Sequence, residues 1–167
     1  MSLPGAGRKH IFLPKAFGTD MKKITFLRAE EEWSRAGAYS VRVEGMNRVH
    51  HIPLREEFDE HDGDGTRYIV ALDDGYPVGT CRFYETANDT VTLGRVVVLP
   101  EYRGEKLGSR VVKEAENWIK ELGYSRIVID SRVEVVPFYV KLGYNMEAGA
   151  EAEMNGVFEC VKMTKTL

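Results

Sequence analysis

The chain of 167 residues contains no stretch of ~20 apolar residues, the length a helix needs to cross a bilayer. No helical membrane span and no membrane partner are therefore expected. Its first residues lack the compact apolar block and small-residue cleavage site of a secretory signal, so cytoplasm is the expected compartment. Cysteine is scarce. The two present, Cys81 and Cys160, sit in apolar, strand-like surroundings and read as buried, reduced thiols. A structural zinc site needs a denser Cys/His cluster, so no metal is expected. Positive charge is not in excess either. With 23 Lys and Arg against 26 Asp and Glu, the formal charge of −3 provides no global basic field for nucleic acid.

What is there suits one globular domain large enough to bury a core: 43% hydrophobic and 29% charged residues. Residues 1–20 carry Pro and Gly without periodicity and read as a poorly ordered leader, with Met21 an alternative start and 21–167 the domain. A strand is expected around Ile24 and Phe26, then a helix over 29–43, then a polar, turn-rich stretch over 50–66. Residues 68–72 and a run from Val78 flank Asp73-Asp74-Gly75, a hairpin pattern. Residues 91–99 are the most β-rich run, stopped by Pro100. Leu107, Val111, Ala115, Trp118 and Leu122 follow helical spacing, and Gly123 ends that helix. A short strand over 126–130, a helix over 135–142 and two strands over 144–150 and 157–165, joined through Asn155-Gly156, complete the chain. The expected fold is a single α/β (α+β) domain.

The most informative segment is VVVLPEYRGEKLG, residues 96–108, where a strand passes through a glycine-bearing loop into a helix. Amides that open a helix have no intrahelical partner, and the helix dipole favours negative charge there. Gly104 and Gly108 allow close approach of a phosphate, and Arg103 and Lys106 add positive charge. A nucleotide P-loop is excluded, because only three residues separate Gly104 from Gly108 and Arg110 follows Ser109 where the motif has its Lys-Ser/Thr pair. The three-glycine dinucleotide fingerprint is absent too. Such a loop, taken alone, is equally a helix start without a ligand.

The run LGRVVVLPEYRGEKLGSRVVKEAENWIKELGY resembles motif A of the GNAT superfamily of N-acetyltransferases, with Arg103 and Gly108 at the first and last positions of its pyrophosphate loop. Lys106 stands where the family has its middle glycine. VVPFYVKLGY, residues 135–144, resembles motif B, and the two blocks arrive in the family's order. Residues 52–62 and 94–98 are similar to the bacterial ElaA-like subgroup. The resemblance implies a mixed, mostly antiparallel central sheet flanked by helices. It implies acetyl-CoA as co-substrate, with Val96, Val97 and Val98 against the pantetheine. Arg103, Gly104, Glu105, Lys106, Leu107, Gly108 and Ser109 would then lie around the pyrophosphate. It also implies a small-molecule or peptide amine as acceptor, direct attack by that amine, a homodimer, and Tyr139 as general acid for the departing thiolate.

Beside those roles stand plainer ones. Phe138 reads as core, and Tyr139 has the same plain reading. Arg132 is either a phosphate contact or a helix cap. The general base is open among Glu57, Asp59, Glu60, His50, His51, His61 and an ordered water. The acidic stretch is not a calcium loop, since the EF-hand template puts Ala71 where a bidentate Glu is required. It reads as a solvated turn or as an acidic wall attracting a cationic amine. A non-catalytic acyl-CoA sensor or interaction module is the rival to an enzyme.

Overall fold

The computed structural model describes residues 23–167, so the expected leader and the start at Met21 lie outside the described residues. In chain order the elements are β1 (Ile24–Arg28), α1 (Glu32–Arg42), a π-helical turn (Val43–Asn47), α2 (Arg48–His50), α3 (Leu54–Glu57) and a 3-10 turn (Glu60–Asp62). There follow β2 (Arg67–Asp73), β3 (Tyr76–Ala87), β4 (Thr90–Val98), α4 (Leu107–Glu121), β5 (Arg126–Arg132) and α5 (Val136–Lys141). The tail holds β6 (Asn145–Met146), β7 (Glu153–Asn155) and β8 (Phe158–Thr166). One eight-stranded sheet results, ordered β1-β2-β3-β4-β5-β8-β6, with β7 also on β8. Every pairing is antiparallel except β4 with β5. This is the mixed, mostly antiparallel sheet flanked by helices that the resemblance implied.

Strand alternation sorts the sheet into two faces. Ile69 and Ala71 of β2 join Phe83, Leu93, Ile127 and Ile129 in the main core, which α4 closes with Val111, Ala115, Trp118 and Ile119. Phe83 and Trp118 meet edge to face at 5.2 Å. Tyr68, Val70 and Leu72 of β2 point the other way and bury Ala38 of α1. Each fully buried large apolar side chain contributes about 1.5–3 kcal/mol, so the main core dominates the fold. The Asp-Gly hairpin forms as expected: Asp74 at φ 49° and Gly75 at φ 85° make a two-residue turn from Asp73 to Tyr76.

Three details depart from the expectation. The first helix begins at Glu32 and runs on through the π turn to His50, where His51 at φ 55° stops it. The strand expected over 144–150 pairs only at Asn145 and Met146. A turn closed by the Ala150 amide on the Glu147 carbonyl, with Gly149 at φ 76°, diverts the chain before β7. Cys81 is fully buried, but Cys160 is only half-buried, because the strand beside it, β7, is short and exposed. Among the described residues no helix is long and apolar enough to cross a membrane, and no group of His, Cys, Asp and Glu could hold a metal ion.

Candidate active site

β4 and β5 run side by side only at their first residues, from Thr90 against Arg126 to Thr92 against Val128. Beyond Thr92 they part. β4 stays on β3, pairing Val97 with Thr80 and Val98 with Gly79, while β5 continues on β8. Among the described residues, the β4 edge from Leu93 to Val98 therefore has no strand on its β5 side. An exposed row of amides and carbonyls is a ready template for an extended ligand. Two glycines shape the cleft beside it. A Cβ on Gly45 of the π turn would stand 2.4 Å from the Val97 Cγ1, so only glycine lets this turn lie against β4. On the opposite face a Cβ on Gly108 would meet the Phe138 ring at 3.5 Å and the Val98 Cγ2 at 3.8 Å, which places α4 and α5 together beside that edge.

The β4 edge leads into the start of α4. The first bond closing that helix runs from the Arg110 amide to the Lys106 carbonyl, 3.2 Å, so the amides of Leu107, Gly108 and Ser109 have no partner within it. Gly104 at φ 83° and Lys106 at φ 60° turn the loop, and Arg103, Gly104, Glu105 and Lys106 are all exposed. Arg103 donates from Nε to the Val98 carbonyl, 3.1 Å, which anchors its charge beside the loop. Open amides at a helix dipole, flanked by cations, suit a pyrophosphate.

Tyr139 is buried in α5, edge-on to Phe138 at 4.9 Å and to Tyr144 at 5.6 Å. Burial, with nearby Cys81, raises the Tyr139 hydroxyl above its ordinary pKa, against a smaller opposing effect of Arg132. The group stays protonated and keeps its O–H to donate. Tyr144, by contrast, donates to Glu116 at 3.0 Å, and Lys165 donates to the same carboxylate at 2.7 Å. Burial and that carboxylate push the Tyr144 hydroxyl far up as well. Tyr144 thus has a structural partner that Tyr139 lacks among the described residues.

Comparison with known proteins decides the family. The Acetyltransferase (GNAT) family pattern matches residues 26–144. The chain belongs to the GNAT acetyltransferase family. Members take their acetyl group from acetyl-CoA and pass it to amines. This GNAT enzyme is 30% identical over 118 residues to the uncharacterized N-acetyltransferase YjcF of Bacillus subtilis, covering 71% of this chain and 83% of that one. Its fold matches a crystal structure of a candidate N-acetyltransferase from Lactobacillus plantarum at TM-score 0.78 and 28% identity, over 86% and 98% of the two chains. Escherichia coli ElaA shares the fold at TM-score 0.71 and 18% identity, over 87% and 99%.

Lys106, at the position of the middle glycine in the motif A pattern, takes the left-handed conformation at φ 60°, where a side chain costs about 1–2 kcal/mol. Arg132 makes no cap bond; it pairs with Glu134 at 3.2 Å and lies over the Phe158 ring at 4.6 Å. His50 meets the other side of the same neighbourhood, edge-on to Phe158 at 5.2 Å.

The acidic stretch is a solvated turn only in part: Glu56, Glu60 and Asp64 are exposed, while Glu57, Asp59 and Asp62 are tied to arginines. Arg42, fully buried, donates from Nε to Glu57 at 2.8 Å and from Nη1 to Asp62 at 2.5 Å. Arg82 grips Asp59 through both nitrogens at 2.8 and 2.7 Å and reaches Asp62 at 2.7 Å. Arg95 joins Glu57 at 3.3 Å and Asp59 at 3.1 Å. Burial alone would raise Asp59 and Asp62, but the arginines outweigh it and hold both carboxyls below their usual range. Glu57 and Asp59 are thus occupied by arginines. Glu60 is exposed beside His61, which stacks flat on Tyr84 at 4.2 Å. The signal for this lattice was present in the sequence as arginines interrupting apolar strands, Arg82 between Cys81 and Phe83 and Arg95 ahead of Val96.

Proposed function

We propose that the enzyme moves an acetyl group from acetyl-CoA directly to a primary amine of a small molecule or peptide. The single observation that carries this reading is the unpaired β4 edge, Leu93 to Val98, leading into the open amides of α4. The coenzyme supplies an acetyl thioester. Amides among Val96, Val97 and Val98 would hold the pantetheine and polarise the thioester carbonyl, already aimed and needing no reorganisation. Arg103, Lys106 and the amides of Gly104, Glu105, Leu107, Gly108 and Ser109 would hold the pyrophosphate. Tyr139 would donate to the departing sulfur. A thiolate of ordinary pKa, ~8.5, is stable enough that a hydrogen bond from this weakly acidic phenol suffices.

Direct attack is favoured over a covalent enzyme intermediate. Burial pushes the Cys81 thiol up to about 12, and burial with Asp130 raises Cys160, so neither thiol is poised as a nucleophile. The acceptor must arrive neutral or lose a proton at the site. The arginine lattice leaves Glu60, His50, His51 and His61 as candidates, of which His50 lies under the charges of Arg132 and of Arg103 in the pyrophosphate loop. Burial and these charges lower the His50 pKa, so it is a neutral acceptor at pH 7.

Acetyl-CoA should raise the melting temperature, by about 2.7 kcal/mol of stabilisation at 100 times Kd. No shift at millimolar acetyl-CoA ends this reading. Given binding, release of free thiol across an amine panel identifies the acceptor. Binding with no thiol release from any amine would make the chain a sensor instead.

A further inference from the structure

Arg95 is the residue of the cleft strand whose backbone is left-handed, at φ 49°. It sits where the β3–β4 ladder slips. Arg82 pairs with Gly94 and Thr80 with Val97, so Arg95 and Val96 together stand opposite the single residue Cys81. That extra residue is a β-bulge, a device that re-aims a strand and ends its pairing. The unpaired edge opens at Leu93, and the bulge at Arg95 and Val96 lies within it, ahead of Val97 and Val98. L-residues avoid the left-handed region unless something holds them there.

What holds Arg95 is its own guanidinium. Nε donates to the Glu57 carbonyl at 3.1 Å and lies 3.3 Å from Glu57 Oε1, and Nη2 donates to Asp59 Oδ2 at 3.1 Å. Asp59 simultaneously accepts both nitrogens of Arg82 from β3. One carboxylate therefore clasps both strands across the bulge. Neither acid needs Arg95 for neutralisation, because Glu57 has Arg42 and Asp59 has Arg82. The Arg95 side chain is also partly exposed, unlike the other two arginines, which are buried. Each acid thus has a second arginine besides Arg95, whose charge also helps to lower the Asp59 pKa.

We propose that Arg95 is a positioning residue for acetyl transfer: its clamp on Glu57 and Asp59 sets the β4 bulge so that the following amides face the acyl carbonyl. The inference rests on the acetyl-CoA reading above. It acts through the backbone of Val96, Val97 and Val98, and Arg95 itself touches no reacting atom.

The test follows acetyl-CoA carrying 13C at the thioester carbonyl, bound to the wild-type chain, to Arg95→Gln and to Arg95→Gly. In the wild type the bound carbonyl resonance moves downfield of the free one, as amides polarise it. In both variants it returns towards the free position and broadens, while acetyl-CoA affinity changes less than threefold. Arg95→Gly takes φ 49° without penalty yet lacks the clamp, so the same return in this variant assigns the shift to the clamp and not to backbone strain. Arg95→Lys keeps the charge, loses the two-pronged grip and gives an intermediate shift; it also serves if Arg95→Gln does not fold. A wild-type carbonyl resonance in any folded variant overturns the clamp. If the wild type binds no acetyl-CoA, the cofactor reading fails first and takes the clamp with it.

Discussion

Two charged regions flank the same strand and are built oppositely. At the start of α4, Arg103, Glu105 and Lys106 are exposed and the helix amides have no partner in the helix. At the acidic segment, Arg42 and Arg82 are buried, Glu57 and Asp62 nearly so, and Glu57, Asp59 and Asp62 are each held by two arginines. The first region leaves its polar groups for something else to satisfy. The second pairs its buried carboxylates internally, with Arg82 Nε left as a buried donor without a partner among the described residues, so it acts as framework even though its composition resembles a binding wall. Charge in a sequence does not distinguish the two; partners do.

That contrast can be broken at several points. Arg42→Met leaves Glu57 and Asp62 each without one of its two partners in a buried setting and should destabilise the fold by about 3–5 kcal/mol. Chemical denaturation reads this, and a loss under 1 kcal/mol would mean the lattice is ornamental. Acid probes the same lattice without mutation. Asp59 and Asp62 are held below their unfolded pKa, so their contribution is complete above about pH 4 and fades as pH falls further, through the lower folded values. Melting temperature against pH should drop on that acid side, and a flat profile down to pH 2 contradicts the pairing.

On the cleft side the effects fall on rate and on loop strain. Tyr139→Phe should lower turnover about 100-fold while preserving the melting shift with acetyl-CoA. Unchanged turnover would return Tyr139 to the core. Lys106→Gly should stabilise by about 1 kcal/mol, since glycine takes φ 60° without penalty, and acetyl-CoA affinity should hold or improve. Destabilisation would show that the lysine side chain is itself anchored.

Much of the framework was legible beforehand. Helical spacing from Leu107 to Trp118 placed α4, the Asp-Gly and Asn-Gly pairs placed two hairpins, and the 96–108 segment marked the loop. These signals are local, set by backbone preference and by periodic burial. The β4–β5 divergence was not legible from spacing, because it depends on where pairing stops between strands more than thirty residues apart in sequence. The half of the acidic segment that is not solvated was illegible for the same reason: Arg42, Arg82 and Arg95 reach Glu57 and Asp59 across 15 to 38 residues of chain.

By itself, then, the sequence determined which stretches become strands and helices, where a helix opens onto an anion-ready loop, and which family pattern the chain carries. Only the tertiary structure decided which charges are spent on one another. It also decided that β4 leaves β5 after Thr92, ahead of the bulge at Arg95, and that among the described residues Tyr139, unlike Tyr144, has no acceptor for its hydroxyl. The physical reason is range. Backbone propensity and burial period act over a few residues, whereas ion pairing and strand edges are settled by groups the fold brings together from afar.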